Sequence, residues 1–298
     1  MSKIDLHIHS SFSDDGEFTP AQIMQQCRKQ GMKLVAVTDH NSVAGVEEAM
    51  KSAQDIKVIS GVELDCTYKG RNFHLLGYGF DYTADEFWRV EQDILRQEKE
   101  AAAEKINLFR MASGIPIEDK EVFAAAQDGV VTGELIAELV LAKEDAAKYE
   151  LLRPYLPGGS KSDMPNVRFY WDFFSEGKPA YVAIKYLTLA DAVQMIQEAD
   201  GMAVLAHPGQ NLAGDDSMLY DMLSEKKSIP LDAIEAFSTY HSEEEARRYV
   251  KIAEENHLFV TCGSDFHGKH KPSIKLGGHG SFRSDREIMS GLPSFCQP

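Results

Sequence analysis

The spacing of apolar positions changes character twice along the chain. In the first 80 or so residues, short runs dense in Val, Ile, Leu and Phe ("KIDLHIH", "KLVAVT", "IKVISGVELDC", "NFHLLGYGF") are separated by stretches of helical period. Such alternation predicts β/α units on a largely parallel sheet. The first helix is well bounded, from Pro20 to Gln30: Thr19 stands at the N-cap with Gln22 three residues on, Pro20 suits the first turn, and Gly31 ends it. A second helix is read over "SVAGVEEAMKSA". From residue 83 the texture turns helical. "TADEFWRVEQDILRQEKEAAAEKINLFRMASG" places Phe87, Val90 and Ile94 on one stripe behind a Thr83/Glu86 capping box. "TGELIAELVLAKEDAAKYE" continues the helical texture, and "RPYLPGGSKSDMP" reads as loop. From Pro179 the alternation resumes: a strand "AYVAI", a helix from Leu189 behind Thr188, "MAVLAHPG", a further helix, "LDAIEAFS", a helix behind Ser242, and "LFVTCGSDFH". The expected organisation is an α/β core over residues 1–82 and 179–298, split by a mostly helical insertion domain at 83–178.

Composition narrows the function classes. A hydrophobic fraction of 43% is ordinary for a globular protein, while 47 acidic against 31 basic residues give a formal charge of −16. That charge repels a phosphate backbone and argues against long duplex nucleic acid as a partner. A small anionic substrate fits only where metal ions reverse the local field. Cys27, Cys66, Cys262 and Cys296 are widely spaced, which suggests neither a zinc ribbon nor a disulfide scaffold and fits a reducing compartment. No charged-then-apolar leader precedes "IDLHIH", and no apolar run nears the roughly 20 residues a bilayer span needs, so a soluble, cytoplasmic protein without a membrane partner is expected.

Candidate chemistry emerges from phase. His7 and His9 close the first expected strand, His40 follows "LVAVT", and Glu63 ends "VISGVE". His207 follows "MAVLA", His241 follows "AIEAF", and Asp265 with His267 follows "FVTCG"; only His74 lies inside its apolar run. Each alone has a plainer reading: His74 as a hydrogen-bonded core residue, Glu63 as a solvated strand end, "AHP" and "SDFH" as polar loops. Together they share one phase, and the C-terminal ends of parallel strands share one face, where β/α barrels build active sites. His257 reads as a helix-end residue and His270 and His279 as surface. Asp5 and Asp39, next to ligand-type histidines, are expected to orient imidazoles, with a structural role for Asp39 an equal alternative.

The ordered segments "DLHIHSSFSDDG", "VTDHNSVAG", "GVELDC", "FHLLGYGF", "AHPG", "IEAFSTYH" and "GSDFHG" resemble the polymerase and histidinol phosphatase (PHP) superfamily of metal-dependent phosphoesterases. The resemblance implies a distorted (β/α)7 barrel carrying two or three divalent ions. It implies one ion held by His7, His9 and Asp265, with Glu63 bridging to a second that also takes His74 and His207. A third would use His40, His267 and the acid of "SDDG". Many members have a single aspartate there; spacing from His9 favours Asp14, with Asp15 its rival. By the same resemblance His241 faces substrate, either binding phosphate as an imidazolium or protonating the leaving oxygen, and His207 lies beside the substrate.

Six histidines with three carboxylates form a mixed nitrogen and oxygen set suited to Mn, Zn or Fe. Phosphate monoesters need accelerations up to about 10²¹-fold, beyond any single general base, and metal-activated hydroxide supplies what is missing. The expected activity is hydrolysis of a small phosphomonoester of nucleotide type, with Glu63, Asp265 and His241 as catalytic residues. A nucleoside bisphosphate phosphatase and a short-oligonucleotide exonuclease both fit. The competing readings are a histidinol-phosphate-type phosphatase, a non-catalytic module binding metal or nucleotide, and an amide hydrolase. Arg153, Lys161, Arg168 and Lys178 in the insertion are candidates for phosphate contacts but read mainly as solvated surface.

Overall fold

The computed structural model describes residues 1–212 and 214–297, with Asp128 through its backbone alone. The strands are β1 (Ile4–Ile8), β2 (Leu34–Val37), β3 (Lys57–Ile59), β4 (Gly61–Tyr68), β5 (Arg71–Tyr78), β6 (Leu187–Thr188), β7 (Met202–Leu205), β8 (Ala233–Ser238) and β9 (Phe259–Gly263). They form a sheet in the order β1-β2-β3 and another in the order β6-β4-β5-β7-β8-β9. All pairings are parallel except those of β5, which runs antiparallel to β4 and β7. Isolated parallel bridges join Ile8 to Phe266 and His40 to Glu63. The result is a mixed α/β fold.

Local sequence explains most helix ends. In α1 (Pro20–Gln30) the Thr19 hydroxyl accepts the Gln22 amide at 3.3 Å, Gln22 reciprocates at 2.9 Å, and Gly31 takes the left-handed conformation at φ 68. α2 (Val46–Ser52) is shorter than the sequence pattern suggests. The Val46 amide bonds Val43 O at 3.1 Å, so residues 43–46 close a turn before the helix begins. In α3 (Asp85–Ser113) the expected Thr83 cap is replaced: Thr83 gives its hydroxyl and amide hydrogens to Asp81 at 2.6 and 2.9 Å.

The remaining helices are α4 (Asp119–Ala125), α5 (Gly133–Leu141), α6 (Pro165–Phe173), α7 (Leu189–Glu198), α8 (Pro208–Leu212), α9 (Ser217–Ser224), α10 (Glu243–Glu255) and α11 (Asp285–Gly291). Thr188 caps α7, and Ser242 with Glu245 forms a capping box on α10. The expected strand "AYVAI" is absent because its start is folded into turns, with Ala180 bonding Phe173 O and Tyr181 bonding Lys178 O. Among the described residues no helix is long and apolar enough to cross a membrane.

The chain packs as two units. One comprises Met1–Val90, Tyr186–His267 and Ile274–Pro298, of which Pro298 lies outside the described residues; the other comprises Glu91–Lys185 and Gly268–Ser273. The second unit has an aromatic core, with Phe109, Phe169, Phe173 and Phe174 in ring contact over Ile106 and Val140. In the first, strand alternation sorts side chains by chemistry. Ile4 and Leu6, Val62 and Leu64, Phe73 and Leu75, and Ile234 and Ala236 join one apolar cluster. The residues between them (Asp5 and His7, Glu63 and Asp65, His74, Glu235) are polar.

Candidate metal centre

The polar positions of these strands converge. The Nε2 atoms of His7 and His9 lie 3.1 Å apart, and Glu63 Oε2 is 3.0 Å from each. Asp265 Oδ1 is 3.4 Å from His7 Nε2 and 3.2 Å from His9 Nε2. An ion with bonds of about 2.0–2.1 Å in tetrahedral geometry separates its ligands by roughly 3.3 Å, so these spacings suit one. With its Nδ1–H donated to Glu235 Oε1 at 3.0 Å, a His7 ring that is neutral, as metal binding requires, turns its Nε2 lone pair toward the others. Glu63 Oε2 is buried with no hydrogen-bond donor. A buried convergence of lone pairs and carboxylate oxygens is strongly unfavourable unless a cation or extra protons sit among them. The donor set therefore fits a divalent metal.

The other oxygen of Glu63 faces elsewhere: Oε1 is 3.0 Å from His74 Nδ1 and 3.0 Å from His207 Nε2. This follows from strand direction. β5 is antiparallel to β4 with His74 opposite Asp65, so a mid-strand residue reaches the face that parallel strands reach only at their ends. His74 Nε2 is 3.1 Å from Asp65 Oδ1, and His40 Nδ1 is 3.6 Å from Glu63 Oε2. A further gathering forms around Asp15, whose Oδ2 is 2.9 Å from His267 Nε2 and 3.9 Å from His40 Nε2. His267 donates Nδ1–H to the Asp265 carbonyl at 2.9 Å, turning Nε2 toward Asp15, and the His9 ring stacks on it at 3.9 Å. Three groups thus bring potential ligand atoms together: His7, His9, Glu63 and Asp265; His9, Asp15, His40 and His267; and His40, Glu63 and His74.

The charges are mutually compensating. Burial works against the ionised carboxyl of Glu63, but His7, His74 and His40 outweigh it and hold the group well below the usual carboxylate range. Asp15 is likewise held well below it by His267 and His40 against burial. Burial disfavours imidazolium at His7, His40 and His74, yet the surrounding carboxylates, Glu63 foremost, raise all three. His9 goes the other way, lowered by burial and by its neighbours His267 and His40.

The PHP domain family matches residues 5–152, a span that includes His7, His9, the Asp15 loop, His40, Glu63 and His74. The chain carries a PHP domain. Over its whole length the chain is 27% identical to a 3',5'-nucleoside bisphosphate phosphatase of Chromobacterium violaceum, covering 95% of that protein. It is 26% identical over 89% of its length to a 5'-3' exoribonuclease of Haemophilus influenzae, covering 90% of it. Among solved structures it superposes on a Bifidobacterium adolescentis protein assigned as a metal-dependent phosphoesterase with a TM-score of 0.71 at 25% identity, covering 98% of this chain and 97% of that one.

Several sequence expectations change. Asp15, not Asp14, is turned toward His267 and His40; Asp14 is exposed and belongs to none of the three groups found among the described residues. His241 does not present an imidazolium. Its Nδ1–H donates to Ala236 O and its Nε2 accepts the Gly209 amide, both at 2.9 Å, and burial pulls its pKa below the usual imidazole value. The hydrogen bonds of Asp5 and Asp39 among the described residues go elsewhere than to imidazole rings: Asp5 accepts from Ser264 and from the Gly277 and His7 backbone amides, and Asp39 from the Ser10 amide and hydroxyl. Ser13 does the orienting instead, bonded to His9 Nδ1 at 3.0 Å and accepting the His40 amide at 2.8 Å. His270 and His279 are buried, the latter donating to Ile4 O, whereas His257 is exposed behind α10 at φ 60.

Sequence reasoning missed Asp65, Glu235 and Tyr240. Tyr240 donates its hydroxyl to Asp265 Oδ2 at 2.5 Å. Asp65 and Glu235 carried a readable signal, an acid in phase with a ligand or alone inside an apolar run. In the helical unit Lys161 pairs with Asp172 and Arg168 with Asp163.

Proposed function

We propose that this protein hydrolyses phosphate esters of small nucleotide-type molecules at a centre of two or three divalent ions, Mn, Zn or Fe, built around Glu63. The observation that carries the reading is the division of Glu63, with Oε2 against His7 and His9 and Oε1 against His74 and His207. A carboxylate so divided is suited to holding two ions at a fixed spacing. Bound ions would supply positive charge to a phosphoryl group and lower the pKa of a water toward neutrality. Asp265 keeps Oδ1 on the centre while Tyr240 occupies Oδ2, which fixes the orientation of that carboxylate. Neutral imidazoles bind cations without adding negative charge that would repel an anionic substrate, which matters in a chain of formal charge −16. Asp15, His40 and His267 form the outer site in this reading, and His207 lies on the substrate side. The two sheets, bridged at Ile8–Phe266 and His40–Glu63, are taken as one distorted seven-stranded β/α barrel with the helical unit as an insertion.

The relatives' names favour a 3',5'-nucleoside bisphosphate as substrate, with a 5'-phosphorylated oligoribonucleotide as the second choice. The test is a panel assay of protein loaded separately with Mn, Zn and Fe against adenosine 3',5'-bisphosphate, a short 5'-phosphorylated oligoribonucleotide, histidinol phosphate and a peptide amide. Fastest turnover of the bisphosphate is expected, with inorganic phosphate as a competitive inhibitor. Absence of phosphate release with all three metals would overturn the proposal, and cleavage of the amide alone would replace it.

A further inference from the structure

Glu235 is a fully buried carboxylate in the middle of β8, between Ile234 and Ala236 of the apolar cluster. Its two oxygens are divided as those of Glu63 are, but between donors of a different kind. Oε1 takes the Nδ1–H of His7 at 3.0 Å, and Oε2 takes the backbone N–H of His207 at 2.8 Å. His7 lies against one oxygen of Glu63 and His207 against the other. His207 also has a backbone φ of 20, outside the regions a β-strand or right-handed helix uses, so its amide direction needs an external hold. The space for this arrangement is made by Gly263 on β9. A Cβ there would lie 2.1 Å from His7 Cβ and 2.6 Å from Glu235 Oε1, so any larger residue would push apart the pair.

We infer that Glu235 is a positioning residue that ties the two halves of the centre together, setting the His7 tautomer with one oxygen and the His207 backbone with the other. Burying an anion here is costly, and an apolar residue would fill an apolar strand better. A carboxylate accepts twice and donates nothing, and both of its partners here are donors. Glutamine cannot substitute. If its carbonyl faces His207 N–H, its amide hydrogens face His7 Nδ1 and force the proton onto Nε2, where a metal would bind. If it is flipped, the amide hydrogens oppose the His207 N–H.

This inference rests on the proposed metal centre, so the experiment separates the two. Wild-type protein and Glu235→Gln are stripped with chelator and titrated with Zn, and the His7 ring is followed by ¹⁵N NMR. Wild type is expected to bind Zn and, once loaded, to show His7 as the Nδ1–H tautomer. Glu235→Gln is expected to fold with an unchanged far-UV spectrum, to shift His7 to Nε2–H, and to bind its tightest Zn about 10- to 100-fold more weakly. Glu235→Asp retains two acceptors on a shorter arm and is expected to keep the wild-type tautomer. If wild type binds no Zn, the metal-centre reading fails. If wild type binds Zn and Glu235→Gln matches it in affinity and tautomer, the role of Glu235 is refuted while the centre stands. A Glu235→Gln chain that weakens Zn yet keeps the Nδ1–H tautomer also refutes it, since the loss would then be merely structural.

Discussion

Asp14 and Asp15 are neighbours in sequence, yet one is exposed and the other lies 2.9 Å from His267 Nε2. Counting residues from His9 could not separate them, because the choice depends on how the turn after Ser10 closes: Ser13 bonds back to Ser10 O and caps His9 and His40 with its hydroxyl. The expected outcome is that Asp15→Asn loses about one metal per chain by elemental analysis and slows phosphoester turnover on the order of 10²-fold, while Asp14→Asn stays within about twofold on both. The reverse pattern would restore Asp14. His241 was also illegible. Its residue type permits a proton donor, and only coordinates reveal that Ala236 O and the Gly209 amide occupy both ring nitrogens. By contrast the convergence of His7, His9, His40, Glu63, His207, Asp265 and His267 was legible from residue type and strand phase, while His74 was reached only through the family resemblance.

At the level of elements, capping chemistry carried the most information. α1, α7 and α10 begin where Thr19, Thr188 and Ser242 indicated, since a hydroxyl bonding the amide three residues on is a local event. Strand direction was not legible. Nothing in "NFHLLGYGF" says that β5 runs against its neighbours, which is why His74 looked out of phase. The division of "IKVISGVELDC" into β3 and β4 has a packing cause beside it. A Cβ on Gly61 would lie 2.5 Å from Val37 O and 2.8 Å from Thr38 Cγ2, so only glycine lets the chain pass β2 so closely. Gly61→Ala is expected to lower stability by about 1–3 kcal/mol, read as a lower urea midpoint at unchanged slope. Because Glu63 is two residues along the same strand, metal uptake should weaken as well. A midpoint equal to wild type would mean the strands part without cost.

Across the whole molecule, a metal bound at the proposed centre would couple stability to metal and to pH. His7, His40 and His74 have raised pKa values in the metal-free fold, so the stability they lend is fully present below the ordinary imidazole value of about 6.5 and is lost as pH rises through the raised values. Metal binding requires the same imidazoles to be unprotonated and so strengthens as pH rises. The gap in Tm between Zn-loaded and chelator-treated protein is therefore expected to widen from about pH 6 to about pH 8. Scanning fluorimetry in matched buffers checks this, and a constant or narrowing gap would count against the site.

The bridge from Ile8 to Phe266 and the bond from the Asp265 amide to His7 O have a further consequence, one of timing. The strand carrying the first pair of histidines pairs with β2 early but gains its second neighbour only when the end of β9 has been made. At about 5–20 residues per second, synthesis runs on the order of ten seconds between His74 and Asp265. During that interval a nascent chain exposes histidines and acids without the geometry that selects among ions. Pairing strands so distant in sequence also closes late in folding. On the proposed function, the centre is assembled only after β9 has joined β1.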